Sequence, residues 1–123
     1  MRRTTASIGV AGEARARQSL IDAGYRIVTQ NWRVRGGEID IVALDGDALV
    51  FVEVRTRALR APVIAESTVD ERKLARIMLA ADAFLQAHED YVDHVWRVDL
   101  IALTMDGAGV VRGYRHYQNL TLE

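Results

Sequence analysis

Two acidic residues, Asp40 and Glu53, lie in segments that are otherwise rich in aliphatic and β-branched side chains. Both segments have the composition of buried β-strands. The sequence Asp-Gly-Asp at residues 45–47 separates them, which predicts a hairpin. Two neighbouring carboxylates on a sheet repel each other, and burial raises that cost, so a cation must offset it. Such oxygen ligands suit Mg²⁺ or Mn²⁺, so we expect a metal site; salt bridging by Arg55 or Arg57 is the alternative.

The register of this hairpin decides whether the two carboxylates share a face of the sheet. A two-residue loop at Asp45-Gly46 pairs Asp40 with Phe51 and leaves Glu53 diagonal to Asp40, whereas a four-residue loop pairs Asp40 directly with Glu53. Both registers put the carboxylates on one face, because side chains alternate with period two. A three-residue loop would send Glu53 to the opposite face. The Asp-Gly sequence favours the shortest loop, so we expect a shared face.

Two further acids are expected at this site. Glu13 lies in a predicted helix from Ser7 to Ala23, which Gly24 would end in a left-handed turn. At 100° per residue, Glu13 falls in the middle of the core-facing arc, which consists of Ala6, Gly9, Val10, Ala16, Leu20 and Ile21. A glutamate there is costly unless it is paired or bound to metal. We expect Glu13 to join the site, with an ion pair to an arginine as the alternative, and Glu38 to support it.

The remaining pattern predicts the elements that position these acids. The predicted strands run over Tyr25–Arg33, Glu38–Leu44, Leu49–Arg57, Trp96–Leu103 and about Val110–Tyr117. A second helix is predicted after a capping box formed by Thr68 and Glu71, with an apolar stripe of Leu74, Ile77, Met78, Ala81, Phe84 and Leu85. The order αβββαββ predicts one α/β domain over residues 1–123, with a mixed central sheet and flanking helices.

Composition narrows the classes of protein that this chain can be. The formal net charge is −1 and the isoelectric point about 6.3, which is not typical of a strongly basic nucleic-acid binder. The absence of cysteine excludes disulfides and thiolate metal sites. No apolar run approaches the roughly 20 residues of a membrane span, so we expect a cytoplasmic protein without a membrane partner. Asp99, in another apolar strand, is expected to orient an arginine from a neighbouring strand. The three histidines are expected to be surface or structural residues.

Several motifs in order resemble one family. They are Gly9-x-x-Gly12-Glu13, Gly24-Tyr25, Asn31-Trp32-Arg33, the Gly37–Ala43 string GEIDIVA, the Val50–Arg57 string VFVEVRTR, the single lysine Lys73, Arg97–Ile101 and His116-x-x-Asn119. The chain resembles the YraN-like family of predicted bacterial endonucleases over nearly its whole length. GEID and VFVEV are specific together, although each alone would be weak.

The resemblance implies a restriction-endonuclease-like fold of the PD-(D/E)xK superfamily, close to Holliday-junction resolvases. It implies that Asp40, Glu53 and Glu13 bind Mg²⁺ or Mn²⁺ and that DNA is cut, including branched or non-duplex forms. Phosphate contacts are expected from Arg33, Arg35, Arg57, Arg60 and Lys73, and a homodimer is expected by analogy with junction-cutting relatives.

One position departs from the superfamily motif, because Arg55 stands where a lysine is expected. Arginine supplies a positive charge but does not lose a proton near neutral pH. Three interpretations follow. Arg55 substitutes for the lysine electrostatically, as the chain's bias toward arginine suggests; Lys73 reaches the site from the second helix; or the protein binds nucleic acid without cutting it.

Overall fold

The computed structural model describes residues 5–61 and 64–120. The helices are α1 (Thr5–Asp22) and α2 (Glu71–Ala87), and the strands are β1 (Arg26–Val34), β2 (Gly37–Asp45), β3 (Ala48–Ala58), β4 (Trp96–Met105) and β5 (Val111–Tyr117). Short 3₁₀ turns cover Ala65–Thr68 and Glu89–Tyr91. The predicted order αβββαββ is confirmed, and Gly24 has the left-handed φ of +93° expected after the first helix.

The five strands form one mixed sheet in the order β1-β2-β3-β4-β5. All neighbours are antiparallel except β3 and β4, which are parallel, as a connection through α2 requires. Helix α1 packs on one face through Ala16 and Leu20, and α2 packs on the other through Ile77 and Phe84. The α/β class with flanking helices is therefore confirmed.

The turn between β2 and β3 consists of Gly46 and Asp47, because Asp45 pairs with Ala48. Gly46 has a φ of +59°, which glycine adopts without strain. The turn has two residues, as in the shortest predicted loop, but it begins at Gly46 instead of Asp45. The resulting register is the one predicted for the four-residue loop, and it puts Asp40 opposite Glu53.

Helix α1 approaches the sheet along a narrow line of small residues. Gly12 and Ala16 are buried, and a Cβ on Gly12 would collide with Thr56 Oγ1 of β3. The broader predicted arc is wrong at two positions, since Val10 is 71% and Ile21 39% exposed. Close contact through small residues turns these larger side chains away from the sheet.

Helix α2 begins later than the sequence predicted. Asp70 is its N-cap and accepts a hydrogen bond from the Lys73 N–H at 2.8 Å, so the capping box at Thr68 is wrong. Thr68 lies in the preceding 3₁₀ turn. The buried side of α2 includes Ala80, whereas the predicted Met78 is 41% exposed. The helix lies so close to β2 that a Cβ on Gly37 would collide with the Arg76 carbonyl oxygen.

The helices in the described parts of the chain are all too short or too polar to cross a membrane.

Candidate active site

The site lies where β2 and β3 separate. Their pairing ends at Ile41 and Val52, whereas β2 continues along β1 to Gly37 and β3 continues along β4 to Ala58. We call this opening between the two central strands the strand gap. Asp40 is the first β2 residue inside it, and its Oδ2 accepts a hydrogen bond from the Val54 N–H at 2.8 Å. A carboxylate thus takes the place of the next β2–β3 backbone hydrogen bond.

Three carboxyl groups meet at the strand gap. Asp40 is 9% exposed and Glu53 is 2% exposed, and the two side chains are within hydrogen-bonding reach of each other. Glu13 of α1 is half-buried and reaches Asp40 from the other direction. Glu53 Oε2 is buried and has no hydrogen-bond partner among the described residues. The structure therefore brings together the three acids that the sequence singled out.

Burial and mutual repulsion keep protons on this cluster. Burial, followed by the charge of Asp40, raises the pKa of Glu53 to about 8. Burial also raises the pKa of Asp40, although its hydrogen bond from Val54 opposes the change. The pKa of Glu13 is raised by burial and then by Asp40. The cluster thus retains a proton at neutral pH unless a cation replaces it.

Two cationic side chains contact the buried glutamate. Lys73 Nζ of α2 lies 3.4 Å from Glu53 Oε1 and 3.9 Å from Glu38 Oε1. Arg55 Nη1 lies 3.6 Å from Glu53 Oε1. The interpretation in which Lys73 reaches the acids from the second helix is thus confirmed in its geometry. Arg57, the other cation proposed to clamp the acids, forms no ion pair with them in the described structure.

Arg55 is held in place by the 3₁₀ turn before α2. Its Nε donates to Thr68 Oγ1 at 2.8 Å, and the Thr68 hydroxyl donates to the Ala65 carbonyl at 2.6 Å. The side chain of Arg55 is one-third exposed. The guanidinium is therefore fixed on one side and open to solvent on the other.

The remaining predicted residues lie at the rim or farther away. Glu38 is paired at 3.2 Å with Arg33, whose side chain is 71% exposed. Arg35 and Arg60 are exposed, and Arg57 is half-buried farther along β3. These arginines are available for surface contacts, whereas Lys73 and Arg55 are the described cations that form ion pairs with Glu53.

No three His, Asp or Glu side chains form a ready-made metal cluster within residues 5–61 and 64–120. The ammonium and guanidinium groups beside Glu53 supply positive charge at this position. The carboxylates would have to turn toward a common point to bind an ion together.

A second buried acid, Asp99, has a different environment. It accepts hydrogen bonds from Arg97 Nε at 3.0 Å, His116 Nε2 at 2.8 Å and the Asn119 N–H at 2.9 Å. Burial alone would raise the pKa of Asp99, but these donors outweigh it and lower the pKa below its ordinary value. The predicted arginine from a neighbouring strand is wrong, because Arg97 belongs to the same strand. The partner of Asp99 from the neighbouring strand is His116. The motif His116-x-x-Asn119 contains both this histidine and the asparagine whose N–H binds Asp99.

The fold and the site define an α/β protein with a buried carboxylate cluster at a gap between the central strands, contacted by a lysine from the crossover helix. The chain belongs to the family described as "Uncharacterised protein family UPF0102", whose model matches residues 12–103. That range contains Glu13, Asp40, Glu53 and Lys73.

Two relatives match over most of their length. A UPF0102 protein of Ectopseudomonas mendocina (strain ymp) is 45% identical over 101 residues, which cover 82% of this chain and 85% of the relative. A UPF0102 protein of Roseiflexus castenholzii (strain DSM 13941 / HLO8) is 44% identical over 98 residues, which cover 80% of this chain and 79% of the relative.

Proposed function

We propose that the protein is a divalent-metal-dependent endonuclease of the PD-(D/E)xK superfamily that hydrolyses phosphodiester bonds in DNA on a restriction-endonuclease-like fold. The observation that carries the proposal is Glu53 Oε2, a buried carboxylate oxygen without a hydrogen-bond partner among the described residues, next to Asp40. A buried polar atom of this kind is costly unless it binds something.

The donor set at the strand gap fits Mg²⁺ or Mn²⁺, because all its candidate ligands are carboxylate oxygens. Asp40 and Glu53 would hold the ion, with Glu13 as the third ligand. When bound, the ion supplies a Lewis acid that makes a water nucleophilic near neutral pH. The raised pKa of Glu53 supports this proposal, since ion binding would replace a retained proton.

In this proposal, Lys73 and Arg55 together take the roles of the motif lysine. Lys73 carries the ammonium group and already lies 3.4 Å from Glu53. Arg55 is oriented by Thr68, and its planar guanidinium suits it to bind the phosphate. Lys73 would hold the attacking water in position. The two residues together provide what one lysine provides in the superfamily motif.

Arginines at the rim would bind the flanking phosphates. Arg33 lies on β1, Arg35 in the β1–β2 turn, Arg57 on β3 and Arg60 in the turn after β3, and all four are exposed or half-buried. Phosphate contacts of this kind set the position of the strand without reading its sequence. They predict DNA binding that weakens as salt rises.

The test is cleavage of linear, flapped and four-way DNA with Mn²⁺ or Mg²⁺. Wild type should cut at least one substrate, and Asp40→Asn with Glu53→Gln should cut none. Lys73→Met should lose most activity and Lys73→Arg should keep part of it, because arginine keeps the positive charge but has a bulkier head group that does not release a proton near neutral pH. Glu89→Gln, an exposed glutamate on another 3₁₀ turn, is the matched control and should cut like wild type. Full activity in the double acid variant would refute the proposal.

A second candidate function is a DNA-binding module that does not cut. It is favoured by the two cationic side chains that already contact Glu53 Oε1, Lys73 at 3.4 Å and Arg55 at 3.6 Å. Calorimetric titration with Mn²⁺ separates the candidates. A nuclease should give heat that disappears in Glu53→Gln, whereas a binding module should give no metal heat but should still bind DNA. Strong cleavage created by Arg55→Lys would show that the native chain lacks only the motif lysine.

A further inference from the structure

A cavity of about 350 Å³ lies between the 3₁₀ turn that precedes α2 and the strands β4 and β5. Its apolar walls are formed by Ile64, Val69, Leu100 and Leu120. Glu66, Arg115 and Tyr117 form its polar rim. Small-molecule sites in proteins share this construction, with apolar walls and a few polar groups at one edge.

The cavity lies on the same face of the sheet as Glu53. Glu53 of β3 pairs with Leu100 of β4, and Leu100 pairs with Tyr117 of β5, so the three side chains form one row. Adjacent strands are about 4.8 Å apart, which places the cavity floor one to two strand spacings from Glu53. A nucleotide whose phosphate contacts the strand gap can therefore extend its base into the cavity.

The rim offers donors and acceptors to the edge of a planar ring. The Tyr117 hydroxyl donates to Glu66 Oε2 at 2.8 Å. The exposed Arg115 guanidinium lies beside the Tyr117 hydroxyl and near Glu66. A nucleobase has an apolar face for the walls and polar edge groups for this rim. Aliphatic ligands would leave the rim unused, and a small inorganic anion would leave the walls unused.

One short segment connects the cavity with the candidate active site. Glu66 and Val69 line the cavity, and Thr68 between them accepts the hydrogen bond from Arg55. A ring bound in the cavity would therefore press on the same turn that orients Arg55. This gives the cavity a direct structural connection to the group proposed to bind the phosphate.

From this geometry we infer that the cavity binds one unpaired nucleobase adjacent to the phosphate that is cut, so that the protein selects DNA with a single-stranded or splayed nucleotide at the cleavage position. The inference rests on the proposed nuclease function for its substrate. Base stacking on aromatic and apolar side chains requires an unstacked base, which a continuous duplex does not offer.

The experiment measures binding separately from cleavage. Binding of the full-length chain to a flapped DNA is followed by fluorescence anisotropy in EDTA, so that no metal-dependent cutting occurs. In a series of flaps, one nucleotide at a time is abasic. At one position near the flap junction, loss of the base should weaken binding roughly tenfold, as expected for one stacked base. Equal affinity across the series, or no binding by wild type, would overturn the inference.

Two variants test whether the cavity is responsible. Ile64→Trp fills the cavity from an exposed position, and it should abolish the difference between intact and abasic flaps. Val92→Trp, an equally exposed valine outside the cavity, is the matched control and should keep the difference. Tyr117→Phe should reduce the difference, because the rim loses its hydroxyl group, and Tyr117→Ala should reduce it further. Unchanged discrimination in Ile64→Trp would refute the assignment.

Cleavage assays in Mn²⁺ distinguish failure of this inference from failure of the nuclease proposal. If the protein binds intact flaps more tightly than abasic flaps in EDTA but cuts neither in Mn²⁺, the base site is supported and the nuclease proposal is contradicted. A protein that cuts intact and abasic flaps equally would keep the nuclease function and lose the base site.

Discussion

Replacing Glu53 by glutamine should make the protein more stable at alkaline pH when metal is absent. Glu53 is 2% exposed, and burial together with Asp40 raises its pKa to about 8, from 4.5 in the unfolded chain. Between these values the folded state retains a proton that the unfolded state has released. The free energy of unfolding of the wild type therefore falls as pH rises from about 5 to 8.

The size of this effect follows from the change in pKa. One pKa unit corresponds to about 1.4 kcal/mol, so the decrease amounts to a few kcal/mol, shared between Glu53 and Asp40 because their titrations interact. Glutamine cannot ionise, so Glu53→Gln removes this part of the pH dependence. Adding Mn²⁺ should stabilise the wild type more at pH 8 than at pH 6, since fewer protons must leave. At 100 times its dissociation constant, the ion adds about 2.7 kcal/mol.

Urea unfolding in EDTA and in Mn²⁺, at half-unit steps from pH 5 to 8.5, measures these quantities. Glu89→Gln provides the control, because it removes an exposed carboxylate outside the site. The same pH dependence of unfolding for Glu53→Gln and wild type in EDTA would contradict the raised pKa of Glu53. The metal proposal, considered separately, is refuted if Mn²⁺ stabilises both proteins equally.

Three further predictions concern the supports of the site. Gly12→Ala should lower the free energy of unfolding by about 1–3 kcal/mol because its methyl group meets Thr56, whereas Gly9→Ala, with open space around it, should raise it by roughly 0.5–1 kcal/mol; thermal unfolding compares the two. Asp70→Ala should cost about 1 kcal/mol in the same assay, because it removes the cap of α2, and an unchanged midpoint would contradict this role. Asp99→Asn should cost roughly 3 kcal/mol near neutral pH. Because the folded protein lowers the pKa of Asp99, the ionised carboxylate stabilises the fold above the unfolded pKa, and this stabilisation is lost on acidification. When the pH falls below about 4, the free energy of unfolding should therefore decrease less in Asp99→Asn than in wild type.

The sequence predicted the strands and the acids well because both depend on local pattern. Asp40 and Glu53 could be placed on one face from side-chain alternation together with an even loop length, which the Asp-Gly sequence favours. The displaced turn shows the limit of this reasoning. Asp45 pairs with Ala48, and only tertiary packing distinguishes that register from its neighbour.

Helical patterns were less informative, because helix packing depends on close contact as well as on apolar periodicity. Gly12 faces the sheet because it has no side chain to collide with Thr56. This orientation of the helix leaves Val10 exposed and not in the predicted core. The capping box failed because Asp70 offered a competing cap two residues later. In both cases two local sequence signals compete, and the packing of the helix against the sheet selects one of them.

The strand gap itself had no sequence signal. It forms because β2 remains with β1 and β3 remains with β4 after Val52, which is a property of the whole sheet. The reach of Lys73 to Glu53 likewise depends on where α2 crosses the sheet. Local patterns of residue type and spacing do not predict contacts between residues that are far apart in sequence.

The backbone amide of Val54 provides a spectroscopic consequence of this arrangement. Its proton is donated to Asp40 at 2.8 Å instead of to a β2 carbonyl oxygen. In an ¹⁵N-labelled sample, the resonance of this amide should move more than those of the other β3 amides when Asp40 gains or loses charge. The protein thus carries an intrinsic NMR indicator of the ionisation of its acid cluster, readable without any added dye or substrate.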